Sequence, residues 1–141
     1  MYYEVKIKYP EANEVGGVKD VNQSFLIDAM SFTEAETRMI EVARDRDFQN
    51  LTIKAITYSR INKVINEVEG DDKKFFNITV TYIEETDEGK KKKNYHLYYL
   101  VKANVPEETI PFIAQDWAGS TIEWKVAQIK ESPVVEVIEH E

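Results

Sequence analysis

Most of the first half of this 141-residue chain is written a second time in the second half, and that duplication limits the folds open to it more than any other feature. Tyr3-Glu4-Val5-Lys6-Ile7-Lys8-Tyr9 lies over Phe76-Asn77-Ile78-Thr79-Val80-Thr81-Tyr82 at an offset of 73 residues, and Leu26-Ile27-Asp28-Ala29 over Leu100-Val101-Lys102-Ala103 at 74. Towards the ends of the halves, Ile61, Val64 and Ile65 fall on Val134, Val137 and Ile138, again at 73. Apolar positions recur in register while their identities drift, as in a duplicated unit that keeps its burial pattern. The expected division is a first repeat over residues 1–67, a linker over 68–73 and a second repeat over 74–141.

Each repeat reads as strand, strand, helix, strand and a short extended tail. Tyr3, Val5, Ile7 and Tyr9 alternate with Glu4, Lys6 and Lys8, the period of two that gives a strand one apolar and one solvated face. Pro10, Asn13 and Gly16-Gly17 mark a loop or the far end of a long hairpin, and Val21 to Ala29 is the return strand. At Thr33 the period changes. Thr33-Glu34-Ala35-Glu36 reads as a capping box with Phe32 as its staple, opening a helix to about Arg46 with Ala35, Met39, Val42 and Ala43 inward. In the third strand, Leu51, Ile53 and Ala55 share one face but Ile56 and Tyr58 fall on the other. Ile122, Trp124 and Val126 give way to Ile129 in the same manner, a change of phase that an inserted residue, a bulge, or a strand passing from one packing surface to another produces.

The second repeat opens with Phe76, Ile78, Val80 and Tyr82, turns at Glu84–Lys90 and returns from about Asn94 to Ala103 with four consecutive lysines, 90–93, before it. Its helix is expected to be short or distorted: Pro111 stays unkinked only if the helix starts near Thr109, and Gly119 ends it. One such repeat has a marginal core. The expected architecture is therefore α+β: tandem strand-strand-helix-strand units packed about a pseudo-twofold axis as a single domain with a mainly antiparallel sheet.

Composition narrows the function. Apolar residues make up 43% and charged residues 31%, an ordinary globular balance. The net charge of −8 is shared evenly, with ten Lys/Arg against fourteen Asp/Glu in residues 1–73 and eight against twelve in 74–141, which argues against general polyanion binding. The absence of cysteine excludes disulfides, thiolate catalysis and thiolate metal sites and fits a reducing interior. No apolar run approaches the ~18 residues of a membrane span and no signal-peptide pattern opens the chain, so a cytoplasmic protein without membrane contact is expected.

The chemical candidates have plainer readings. His96 fits a partly buried, hydrogen-bonded strand residue and His140 a solvated terminus; two isolated histidines make no metal site. Glu84, Glu85, Asp87 and Glu88 lack the alternating ligand spacing of a calcium loop. Lys90, Lys91, Lys92 and Lys93 suit a phosphate contact, but the first repeat has no such run, and basic residues also deter edge-to-edge strand pairing. Of sixteen aromatics, most occupy positions a core requires; Tyr2, Phe75, Tyr98 and Tyr58 do not. Exposed aromatics stack single-stranded bases, though contacts between repeats or copies explain them equally. No Ser/His/acid order, phosphate loop or acid pair is present, and no cofactor is expected.

The opening aromatic strand, Phe32-Thr33-Glu34-Ala35-Glu36, Glu88-Gly89-Lys90-Lys91, Ile61-Asn62-Lys63-Val64-Ile65 and Ser132-Pro133-Val134-Val135-Glu136-Val137-Ile138 together resemble a family of small two-repeat proteins known as a domain of unknown function in Bacteroidetes bacteria and their phages and mobile elements. That resemblance implies a bacterial or phage cytosolic setting and carries over no functional residues. The expected function is a non-enzymatic binding or assembly protein with a protein partner or self-association. The alternatives are a single-stranded nucleic-acid binder using Lys90–Lys93, Tyr98 and Tyr58, or a phage anti-defence protein that binds a host factor. The functional places are expected where the repeats differ, at Lys90–Lys93 and Pro106–Gly119, or in the groove between them.

Overall fold

In a computed structural model, which describes residues 1–85 and 92–140, the chain is mixed α+β with two α-helices and mostly antiparallel sheets. It divides into two compact units, one made of Met1–Arg60 with Pro133–Glu141 and the other of Ile61–Ser132.

The first unit is a four-stranded sheet with one helix against one face. Strands β1 (Tyr2–Ala12) and β2 (Val18–Asp28) form a long antiparallel hairpin, from Tyr2 opposite Asp28 to Ala12 opposite Val18. Its turn is tied by the Asn13 carboxamide oxygen, which accepts from the backbone of Val15 (3.1 Å) and Gly17 (2.8 Å), and Gly16 supplies the positive φ of +82°. Helix α1 (Phe32–Asp45) follows, then β3 (Thr52–Ser59), antiparallel to β1. The final strand, β8 (Val134–Ile138), runs parallel to β2, giving the order β3-β1-β2-β8. Tyr3, Val5, Ile7, Phe25 and Ile27 meet Ala35 and Met39 in the core. Arg38 of α1 donates to the carbonyls of Asp28 and of Glu139 (2.7 Å for the latter), and Tyr2 donates to the Glu139 carboxylate (3.1 Å), which ties the tail after β8 to the same unit.

The second unit repeats this order with its own strands. Strands β5 (Lys74–Glu85) and β6 (Lys92–Ala103) pair antiparallel, β7 (Glu123–Glu131) lies antiparallel to β5, and the three-residue β4 (Lys63–Ile65) runs parallel to β6. The order is β4-β6-β5-β7, the order of the first sheet once each strand is matched to its equivalent at the offset of 73–74. A 3₁₀ turn, Pro106–Glu108, leads into helix α2 (Thr109–Asp116). Phe76, Ile78, Val80, Tyr99 and Val101 pack with Ile113.

Details follow from local chemistry. The cap of α1 is Ser31, not Thr33: Ser31 is extended (φ −158°, ψ 166°) and its hydroxyl accepts from Glu34 N at 3.1 Å, while the Glu34 carboxylate accepts from Met30 N at 3.2 Å. The capping pair thus sits two residues earlier than expected, and Phe32 is inside the helix with its ring edge against Tyr3, 4.9 Å between centroids. The change of phase in each third strand is a bulge: Lys6 pairs with Ala55 and Ile7 with Ile53, leaving Lys54 over, while Thr79 pairs with Gln128 and Val80 with Val126, leaving Ala127 over. Lys54 and Ala127 are 73 positions apart. Helix α2 begins at Thr109, so Pro111 falls in the first turn, where its missing N–H costs nothing, and Gly119 (φ +83°) follows its end.

The extended endings 61–65 and 134–138 each add a parallel strand beside the second strand of the other half of the chain. Val137 thereby lies beside Leu26, and Val64 beside Leu100, and both leucines are buried. This pairing puts the boundaries of the compact units at Arg60/Ile61 and Ser132/Pro133.

Candidate binding surfaces

Lys90 and Lys91 lie outside the described residues. Lys92 and Lys93 open β6 directly opposite Glu85 and Glu84 of β5 in the strand register. Carboxylates opposite in register reduce the positive field around these lysines. Lys93 Nζ also lies 5.4 Å from the centroid of the Tyr95 ring. Tyr95 stacks on Tyr82 at 5.4 Å, Tyr82 meets Trp117 at 5.4 Å, and Trp117 stacks on Trp124 at 6.0 Å. These four rings are half-buried and touch one after another in a row. Tyr98 points to the opposite face of β6 from Lys93, half-buried, with its backbone N–H donating to the Asn62 carboxamide at 2.8 Å. Tyr58 belongs to the first unit. The described candidates therefore occupy separate places: Lys93 on the aromatic face, Tyr98 on the other, and Tyr58 on an edge strand of the first sheet.

His96 is exposed, not partly buried, with its Nδ1 3.2 Å from Thr81 Oγ1; its position opposite the Tyr95 and Leu97 face turns it outward. Among the described residues, no cluster of three or more His, Asp or Glu could hold a metal ion. No helix is long and apolar enough to cross a membrane.

The segment 106–119 contributes a charged cluster that the sequence pattern does not announce. Asp116, the last residue of α2, accepts from Lys63 Nζ of β4 and from the Tyr99 hydroxyl of β6. A carboxylate at a helix C-terminus opposes the helix dipole, and these two donors offset that cost. Its side chain is 21% exposed. Burial works to raise the Asp116 pKa, but the bonds from Lys63 and Tyr99 outweigh it and hold the carboxyl below its ordinary value. Tyr99 is buried; burial, with the neighbouring Asp116 carboxylate, pushes its phenol well above the ordinary tyrosine value. The indole N–H of Trp117 is buried with no hydrogen-bond partner among the described residues, although it lies near enough to the Tyr99 hydroxyl to offset part of that rise. A cleft of about 270 Å³ opens beside Lys63 and Asp116, between Val64, Glu67, Phe112 and Gln115. Both shifts move away from neutrality, so neither group is poised to exchange a proton near pH 7. The cluster joins helix to strand.

Among the described residues, the first unit also exposes apolar side chains beside buried Tyr3. Tyr3 is buried, and on either side of it stand Phe32 (53% exposed) and Tyr58 (54% exposed), the latter with its ring edge 5.7 Å from Tyr3; Met30 next to the helix cap is 71% exposed. Tyr58 lies on β3, an outer strand of its sheet. The strand in the same place in the second unit, β7, carries Glu123, Lys125, Lys130 and Glu131; β3, with the sequence Thr-Ile-Lys-Ala-Ile-Thr-Tyr-Ser, carries Lys54 as its one charge. Charged residues are the usual protection of an outer strand against pairing with another chain. The sequence reading found Tyr58; the bare edge beside it is legible only after the strand order is known.

Comparison with curated proteins finds no match. Residues 1–140 match a domain of unknown function, DUF4494, over nearly the whole length, and the chain belongs to that family.

Proposed function

We propose that this protein is a non-catalytic binding or assembly protein built from a duplicated unit, and that it assembles by pairing the β3 edge with that of a second copy. The observation that carries this reading is the contrast between β3 and β7. Antiparallel self-pairing of β3 about its midpoint sets Ile53 against Tyr58 and Lys54 against Thr57 of the second copy, with no like charges opposed; the same operation on β7 sets Glu123 against Glu131. Aromatic and β-branched cross-strand pairs are stabilising, and exposed Tyr58 on the strand itself is apolar surface that assembly would remove from water. The absence of cysteine supports a reducing, intracellular setting.

Nucleic-acid binding is less well supported, because Glu84 and Glu85 face the described lysines. Sedimentation of the wild type across a concentration series tests the proposal, with Thr57→Lys as the variant. Thr57 is exposed, so the new lysine leaves the monomer's stability nearly unchanged while opposing Lys54 of the second copy. The expected result is a dimer whose dissociation constant rises at least about tenfold in the variant. A wild type that stays monomeric at the highest concentration, or a variant that associates as well as the wild type, overturns the proposal.

A further inference from the structure

The face of the first sheet that turns away from α1 holds a cleft of about 420 Å³ whose polar lining is Lys6, Asn22, Gln23, Ser24 and Lys54. Ser24 pairs with Lys6 in the sheet and Asn22 lies on the same face two residues before it, and the lining includes no carboxylate, in a chain whose net charge is −8. The neighbouring Lys8 is neutralised by Asp20 at 3.7 Å, but Lys6 and Lys54 make no ion pair among the described residues. An anion in the cleft would be attracted to both lysines.

Lys54 is present in the cleft because of the bulge. It is the residue left over when Lys6 pairs with Ala55 and Ile7 with Ile53, and bulges re-aim side chains. The second unit keeps the bulge but has Ala127 there, and Lys6 is replaced by Thr79, so the two-lysine arrangement belongs to the first unit alone. Sheet geometry therefore accounts for the bulge but not for its lysine. Ala55 and Pro133 add small, apolar lining, and the volume exceeds what a bare inorganic anion fills.

We infer that this cleft binds the phosphate monoester group of a small organic molecule, with Lys6 and Lys54 on the dianion, Asn22 and Ser24 as neutral donors, and Ala55 and Pro133 against the organic part. This goes beyond assembly and does not depend on it.

Titration of the full chain with phenyl phosphate, followed by amide chemical shifts, tests the inference, with inorganic phosphate and phenol as separate arms. The expected result is saturable binding of phenyl phosphate that weakens with salt, weaker binding of inorganic phosphate and none of phenol. Shifts should centre on residues 6, 22–24 and 54–55. Lys6→Gln and Lys54→Gln should each weaken binding about tenfold, whereas Lys8→Gln should leave it unchanged; all three sites are at the surface, and the melting temperature of each variant checks that it folds. No saturable binding of phenyl phosphate, or binding unaffected by the Lys6→Gln, Lys54→Gln double variant, overturns the inference.

Discussion

The two units fasten the end of the helix to the short parallel strand with the same kind of contact and opposite charges. In the first, Arg46, just past the end of α1, pairs bidentately with Glu136 of β8 and lies 5.8 Å from the ring of Phe25, the residue beside Glu136 in the sheet. In the second, Asp116 at the end of α2 pairs with Lys63 of β4, and the residue beside Lys63 is Tyr99. Glu136 and Lys63 are equivalent at the offset of 73, and Phe25 and Tyr99 at 74. The helix dipole distinguishes them. Arg46 is a cation where the helix end is negative and needs only the carboxylate; Asp116 is an anion at the same end and has a second donor, the phenol that replaces Phe25. The difference teaches that position and complementarity of the contact were kept while its polarity was free to reverse, provided the neighbouring ring changed with it.

The largest effect that can break this comparison lies beneath the ion pairs. Each helix inserts a fully buried aliphatic side chain, Met39 from α1 and Ile113 from α2. Met39→Ala and Ile113→Ala should each lower stability by about 2–5 kcal/mol, read from urea unfolding at unchanged slope. An Ile113→Ala cost well below that range would mean that the short α2 does not anchor its unit as α1 does.

Next come the pairs themselves. Asp116→Ala leaves the hydroxyl of buried Tyr99 without its acceptor and should cost about 1–3 kcal/mol. Glu136→Ala removes one partner of a pair whose side chains are 40% and 37% exposed, and should cost about 0–1 kcal/mol. Equal costs in the same unfolding assay would erase the distinction between the units.

The smallest effect is on pH dependence. Asp116 has a folded pKa below its unfolded value, so its contribution is present above the ordinary carboxylate range and is lost on acidification through the lowered value. Tyr99 has a folded pKa above its unfolded value, so its contribution is complete below the ordinary tyrosine value and is lost as pH rises beyond it. In the first unit, burial and Glu139 push Tyr2 up to about 12. Absorbance titration of tyrosinate should show both phenols ionising late in the wild type, and Tyr99→Phe should delete one late step while leaving that of Tyr2. A variant whose late steps match the wild type would show that Tyr99 is not held as a neutral donor to Asp116.

Much of this was legible because it is local. The alternation of Tyr3 to Tyr9 and of Phe76 to Tyr82 specified strands, Pro106, Pro111 and Gly119 bounded α2, and the break of phase after Ala55 and after Val126 marked an irregularity that the strand register resolves as a bulge. The cap of α1 was misplaced by two residues because Ser31 and Thr33 are both good capping types, and only the extended backbone at Ser31 decides between them. The Lys63–Tyr99–Asp116 cluster was not legible. Its members lie 17 and 53 positions apart along the chain, and no spacing rule joins them. Lys6 read as an ordinary solvated lysine for the same reason.

The sequence by itself determined most of the elements, since period, capping chemistry and proline placement act within a few residues. Only the tertiary structure decided which strands are neighbours: that β8 lies beside β2 and β4 beside β6, and that β3 is left with a bare edge. Strand pairing is a contact between distant segments, and its free energy depends on every alternative partner in the chain, a quantity that no local stretch of sequence contains.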